Sequence, residues 1–188
     1  MLCTSDLGDD NYTATWSMVF AADGRSWSQS GQMYFYHIVK NSGCAHHFAQ
    51  QQAANSISGP TTVFGSCVSP GEVHQVWQQY LPANGHLRAN IDQTVFLETN
   101  YVIWTQWATP LNTAVNGETT YQETDVPGTA SQLSDFTLMQ VQRFSDDQWE
   151  STCYGNATFF ADTSVSRYSD TATACDHMQV WTNNPNGY

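Results

Sequence analysis

The feature that most constrains this chain is an alternation of period two. From Tyr12 to Phe20, Ala14, Trp16, Met18 and Phe20 fall on one parity, and Thr13, Thr15 and Ser17 fall on the other. A strand with one buried face requires that period, because successive side chains point to opposite sides of a sheet. Asp23-Gly24 supplies the turn that follows. A second strand is predicted over 32–39, where Tyr34, Tyr36 and Ile38 alternate with Met33, Phe35, His37 and Val39 and both faces carry large side chains. Beyond residue 86 the pattern continues as a meander, with strands predicted over 94–107, 118–123, 136–144, 148–160 and 174–182. At roughly 3.3 Å per residue the first of these would span about 45 Å, so it must bend or carry a bulge before Pro110 ends it. Ser145-Asp146-Asp147 reads as a hairpin connection.

Two helices are expected inside this β-rich pattern. Residues 45–54 hold no β-branched side chain and three consecutive Gln, between Gly43 and Gly59-Pro60. The second opens with Ser69 as N-cap, Pro70 at the first position and Glu72 in the Ser-x-x-Glu capping-box spacing, followed by Val73, Val76, Trp77 and Tyr80 at helical intervals. The expected fold is therefore mainly β, an antiparallel meander forming a barrel or sandwich, with two short helices between residues 45 and 82. The layout resembles calycin-like barrels, although the Gly-x-Trp of secreted lipocalins is not matched where Trp16 follows Ala14-Thr15. Residues 1–11 are acidic and aperiodic and read as a flexible arm, leaving 12–188 as one domain, in keeping with a chain of 188 residues.

Composition narrows the partners. Charged residues make up 12% of the chain, about half the usual share of roughly 25%. Ser, Thr, Asn and Gln supply 66 of the 188 residues, so uncharged polar groups stand where charges would be. A net charge of -12 repels phosphate backbones and anionic lipid, which argues against nucleic-acid binding. No apolar run approaches 18 residues, so insertion of a helix into a membrane is not expected.

The five cysteines, Cys3, Cys44, Cys67, Cys153 and Cys175, show no Cys-x-x-Cys spacing, which disfavours zinc and redox motifs. Disulfides are the better reading, with Cys44–Cys67 and Cys153–Cys175 the simplest of three connectivities and Cys3 left over. Crosslinks, low Lys content and an acidic composition fit an extracellular or cell-surface protein. Met1 leads into Leu2-Cys3-Thr4-Ser5-Asp6, with acid where the basic part of a secretory leader would stand, so no signal peptide is expected in these residues. Asn11 and Asn156 lie in N-glycosylation sequons, a motif this composition supplies by chance about twice.

Aromatic side chains are the most informative functional feature. Seven Trp, nine Tyr and nine Phe exceed what an ordinary core of this size requires. Trp104 and Trp107 share one predicted strand with opposite parity beside Tyr101, so at least one leaves the main apolar face. With Tyr34 and Tyr36, these rings form the candidate ligand-binding set, suited to a small molecule or glycan. The expected function is accordingly a non-catalytic binding domain. A structural subunit of an extracellular assembly is one alternative, since the arm and Cys3 offer a route to self-association. A carboxylate- or His-dependent hydrolase or lyase is the other, with Glu98, Glu118 and Glu123 as candidate carboxylates. Catalytic residues are not assigned. No P-loop, His-Glu-x-x-His, Gly-x-Ser-x-Gly or dinucleotide fingerprint occurs, and no cofactor is expected. No metal site is expected either: adjacent His46 and His47 on a helix would point about 100° apart and could not share an ion, and the acidic start 6–11 lacks the pattern of a calcium loop.

Overall fold

A computed structural model describes residues 12–20, 26–35, 44–52, 60–69, 71–81, 84, 86–98, 112–119, 128–129, 132–142, 148–151, 168–174 and 176–182. All regular structure among them is strand, in chain order β1 (Tyr12–Phe20), β2 (Trp27–Phe35), β3 (Ala45–Gln52), β4 (Thr61–Val68), β5 (Val76–Leu81), β6 (His86–Ile91), β7 (Thr94–Glu98), β8 (Asn112–Thr119), β9 (Gly128–Thr129), β10 (Gln132–Phe136), β11 (Gln140–Gln142), β12 (Trp149–Ser151), β13 (Tyr168–Ala174) and β14 (His177–Thr182). The mainly β, antiparallel class expected from the sequence is what forms.

The two predicted helices are strands. Residues 45–52 form β3, in register with β2 from Met33↔His46 to Trp27↔Gln52. The Gln run that reads as helix former instead supplies side-chain amides to neighbouring strands: Gln29 Nε2 donates to Gln50 Oε1 (2.8 Å), and Gln50 Nε2 to Thr62 Oγ1 (2.8 Å). In the second case half of the capping box does form. Ser69 N–H donates to Glu72 Oε2 (2.8 Å) and Glu72 N–H to Ser69 O (3.2 Å). Gly71, at φ 87°, turns the chain out of a helical path, Val73 is 93% exposed, and β5 begins at Val76. A cap satisfies its own turn, but extension requires an apolar stripe that finds a partner. Here Val76 and Gln78 instead pair with Ile91 and Ala89 on β6.

The chain forms two compact units, Ala14–Asn116 and a second made of Met1–Thr13 with Gly117–Tyr188. In the first, a five-stranded sheet has the order β4-β3-β2-β1-β8, and a three-stranded sheet has the order β5-β6-β7. β2 packs on β5 and β6, and β3 on β6 and β7, so among the described residues these two sheets face each other as the layers of a sandwich. Leu87, Ala89 and Ile91 supply the fully buried face of β6. They meet a facing row from β2 and β3 in which Ser28, Ser30 and Gln51 are buried.

That interface is polar by composition and satisfied by geometry. Ser28 Oγ donates to Gln78 Oε1 (2.6 Å), Gln78 Nε2 to Ser30 Oγ (2.7 Å), and Gln51 Nε2 to both Ser28 Oγ and Leu87 O (3.0 Å each). Uncharged amides and hydroxyls can be buried where they complete one another's hydrogen bonds, which is how a chain poor in charge and rich in Ser, Thr and Gln still builds a core.

In the second unit, β14 pairs with β13 on one side and with β10 and β9 on the other, β9 and β10 also pairing with each other, and β11 pairs with β12. The pairing of β11 with β12 fits the predicted hairpin, although residues 145–147 themselves lie outside the described set. β13 covers a stretch whose polar sequence carries no strand signal. Its backbone ladder to β14, from Tyr168↔Thr182 to Ala174↔His177, organises it.

Candidate functional site

Three histidines meet the rest of the first unit in different ways, and strand geometry decides which. His46 and His47 are consecutive on β3, so they point to opposite faces of the sheet. His46 faces the disulfide: its Nδ1–H donates to Gly65 O (2.7 Å), and its Nε2 lies 3.5 Å from Cys44 Sγ and 3.8 Å from Cys67 Sγ. The predicted Cys44–Cys67 bridge is present and joins the start of β3 to β4, where His46 pairs with Cys67. Cys153 and Cys175 lie outside the described residues.

His47 faces the other sheet. The imidazole is buried at 5% exposure, edge-on to His74 with ring centroids 4.3 Å apart and 6.0 Å from the ring of Phe96. Room for this arrangement comes from paired irregularities. β4 carries one extra residue opposite the 46–48 segment of β3, and β7 carries one opposite Ala89/Asn90. They bring Phe96 onto Gly65, where any Cβ would overlap the Phe96 ring and come within 3.3 Å of His47 Cβ. His47 Nδ1 is buried with no hydrogen-bond partner among the described residues. Such a group costs on the order of 1–3 kcal/mol when left unsatisfied. Burial pushes the His47 pKa down, with the neighbouring His74 adding to it, so His47 favours its neutral form.

His74 stands two residues before β5, and Asp92 is the first residue after β6. Because Val76 pairs with Ile91, the two are brought side by side. Asp92 and Gln93 form the two-residue β6–β7 turn at φ 48° and 66°, the mirror-turn geometry that suits the twist of a hairpin. The turn is clamped to the β5 entry: Asp92 N–H donates to Gln75 O (2.9 Å) and Gln75 N–H to Asp92 Oδ1 (2.9 Å). The remaining carboxylate oxygen, Oδ2, accepts from His74 Nδ1 at 2.6 Å. On the other edge of the ring, His74 Nε2 lies 3.4 Å from Glu72 Oε2.

The electrostatics follow from these contacts. Burial works to raise the Asp92 pKa, but the hydrogen bonds from His74 and Gln75 outweigh it and hold the carboxyl below its ordinary value. Glu72 is held low chiefly by the Ser69 N–H, with His74 contributing. A half-buried imidazole therefore sits between two ionised carboxylates, with its Nδ1 proton fixed by Asp92. This base-and-orienter arrangement can accept and return a proton at Nε2.

The carboxylates singled out from sequence behave otherwise. Glu98, on β7, accepts from Arg88 Nε (2.6 Å) and from His86 Nδ1 (2.8 Å). Arg88 first and His86 second hold its pKa down, which suits an ion pair and not a proton donor. Glu118 lies in β8, and Glu123 is outside the described residues. Of the aromatic set, Tyr34 is half-buried in β2, while Tyr36, Tyr101, Trp104 and Trp107 lie outside the described residues, as do Asn11 and Asn156. His74, Asp92 and Glu72 have no sequence signature, since their spacing of 18 and 20 residues becomes contact only through the β5–β6 pairing. The available signal was the Ser69-to-Glu72 capping spacing, which does place Glu72 correctly.

No protein-family model matches this sequence, and no curated protein matches it. Among solved structures, the chain is similar to the crystal structure of aspergilloglutamic peptidase from Aspergillus niger, with a TM-score of 0.56 and 12% identity, over 91% of this chain and 99% of that one. The likeness is one of fold. It corrects the expectation of a non-catalytic binding domain, because the solved protein that shares the architecture is an enzyme.

Proposed function

We propose that this protein is a hydrolase that cleaves peptide or closely related amide bonds with water as the nucleophile. The observation that carries it is the His74–Asp92 hydrogen bond of 2.6 Å, with Glu72 on the opposite ring nitrogen. The fold shared with a glutamic peptidase supports the substrate class. In this reading Asp92 holds Nδ1–H and so presents Nε2 as the base. Water loses a proton to Nε2 as its oxygen adds to the carbonyl carbon. The imidazolium, now between two carboxylates, returns that proton to the leaving nitrogen as the C–N bond breaks. Glu72, anchored by the Ser69 N–H, stabilises the imidazolium.

The Cys44–Cys67 disulfide supports an oxidising, extracellular setting for this activity, and among the described residues no helix is long and apolar enough to cross a membrane. Incubation of the purified chain with quenched peptide libraries and denatured protein between pH 3 and 8, with products identified by mass spectrometry, tests the reading. His74→Gln is expected to lower turnover by about 10²–10⁴-fold, the range for loss of a general base. Absence of cleavage by the intact protein, or undiminished cleavage by His74→Gln, would overturn it.

A further inference from the structure

The unpartnered nitrogen of His47 points to a use beyond proton transfer. We propose that His47, His74 and Asp92 form a binding site for one divalent transition-metal ion of the zinc type. One donor atom from each of the three residues lies within 4.8 Å of the other two. The donors come from three separate segments: β3, the entry to β5 and the β6–β7 turn. The ladder Val76↔Ile91 and the Gln75–Asp92 clamp fix two of these against each other.

The second, independent observation is the burial of His47. The residue is 5% exposed, and its Nδ1 has no hydrogen-bond partner among the described residues, whereas the buried Ser28, Ser30 and Gln51 of the same sheet all have partners. A buried imidazole beside His74 and Asp92 with a ring nitrogen left without a partner is a group that a bound cation would satisfy.

The donor set decides the class of ion. Two imidazoles and one carboxylate suit zinc, nickel or copper, while magnesium and calcium take oxygen ligands almost alone. Metal–donor distances of about 2.0–2.2 Å in a tetrahedral site place donors roughly 3.3–3.5 Å apart. The ion would replace the proton shared by His74 and Asp92, opening that contact from 2.6 Å, with His47 drawn in as the third ligand. Three protein ligands leave a fourth position for water, the arrangement of open zinc sites. Glu72, anchored by the Ser69 N–H, lies at the far edge of the His74 ring and would accept from that ring's second nitrogen, as outer carboxylates do for metal-bound histidines. The inference does not rest on the hydrolase reading, and the two uses compete for the same atoms: an ion on His74 and Asp92 would displace the Nδ1 proton that the metal-free base requires.

Titration of the full-length, disulfide-intact protein with Zn²⁺ by calorimetry, and with Co²⁺ by visible absorption, is decisive when run without substrate and in excess Mg²⁺. The Mg²⁺ saturates nonspecific sites on an acidic surface. One equivalent of Co²⁺ giving intense tetrahedral bands, displaced by Zn²⁺, is the expected result. His47→Gln should weaken binding at least tenfold while leaving the far-ultraviolet spectrum unchanged, and Asp92→Asn should do the same if His47→Gln fails to fold. Weak, multi-site binding that Mg²⁺ abolishes, or one-site binding that neither folded variant alters, would overturn the proposal. Peptide cleavage by metal-free protein that binds no Co²⁺ would overturn this inference and leave the hydrolase reading standing.

Discussion

Gly31 sits where β2 runs against β1, and a Cβ there would overlap Thr15 O and lie 2.8 Å from Trp16 Cα. The obstacle is backbone, which cannot rotate away as a side chain can. Gly31→Ala is therefore expected to destabilise the protein by about 3 kcal/mol, the upper end for overpacking, read as a lower urea midpoint at unchanged slope. Glu98 makes a different residue-scale case. Its carboxyl is held low in the folded protein by Arg88 and His86, so the unfolded chain takes up the proton first as pH falls. Stability from this pair is full above the ordinary Glu value of 4.5 and is lost as pH drops through the lower folded value. Thermal melts of the wild type and Glu98→Gln should diverge at pH 6 and converge towards pH 3. Parallel curves would show that the ion pair contributes nothing measurable.

At the scale of elements, the β6–β7 turn and the β3–β4 crosslink carry the next expectations. Gln93 holds a left-handed φ of 66°, a conformation that costs an L-residue roughly 1–2 kcal/mol and a glycine almost nothing. Gln93→Gly should stabilise by about 0.5–1 kcal/mol after the glycine's added freedom in the unfolded chain is subtracted, and should raise the melting temperature. The neighbouring Asp92, also left-handed, would not tolerate the same exchange, because its carboxylate fastens His74 and Gln75. The Cys44–Cys67 bridge spans a sequence separation of 23. Loop-closure entropy puts its contribution near 3 kcal/mol. Replacing both cysteines by serine should lower stability by about that amount, and hydrogen exchange should quicken first in β3 and β4. Protection unchanged in those strands would mean that the bridge adds nothing to the sheet.

For the whole molecule, 17 acidic against five basic residues set the colloidal behaviour. Net charge passes through zero near pH 4.4, so solubility should reach its minimum there and recover on either side, as a light-scattering titration would show. A solubility minimum above pH 6 would point to histidine protonation or local patches as the controlling charges. The sandwich itself rests on few apolar side chains and a satisfied amide–hydroxyl layer. Loss of one member, such as Gln51, should therefore unfold the first unit cooperatively, as loss of a core leucine would.

The sequence by itself determined the class and some of the strands, while β2 runs over Trp27–Phe35 and not 32–39, and β4 and β6 went unread. The parity of 12–20 gives β1 to its ends, the apolar alternation beginning at Thr94 gives the start of β7, and the scarcity of charge accounts for a core built from Ser and Gln. These signals are local, and local periodicity survives any tertiary arrangement. The tertiary structure decided what local signals cannot. Residues 45–52 and 76–81 have helix-compatible composition, yet strand pairing on both sides of β3 and the β5–β6 ladder satisfy their backbone groups and override it. The Ser69–Glu72 cap is legible because it is a contact across three residues. The His47–His74–Asp92 group is not, since its members lie 27 and 18 residues apart and meet only through sheet stacking and one hairpin register. A period of two specifies which face a residue takes, but only the pairing of strands and the stacking of sheets determines what that face meets.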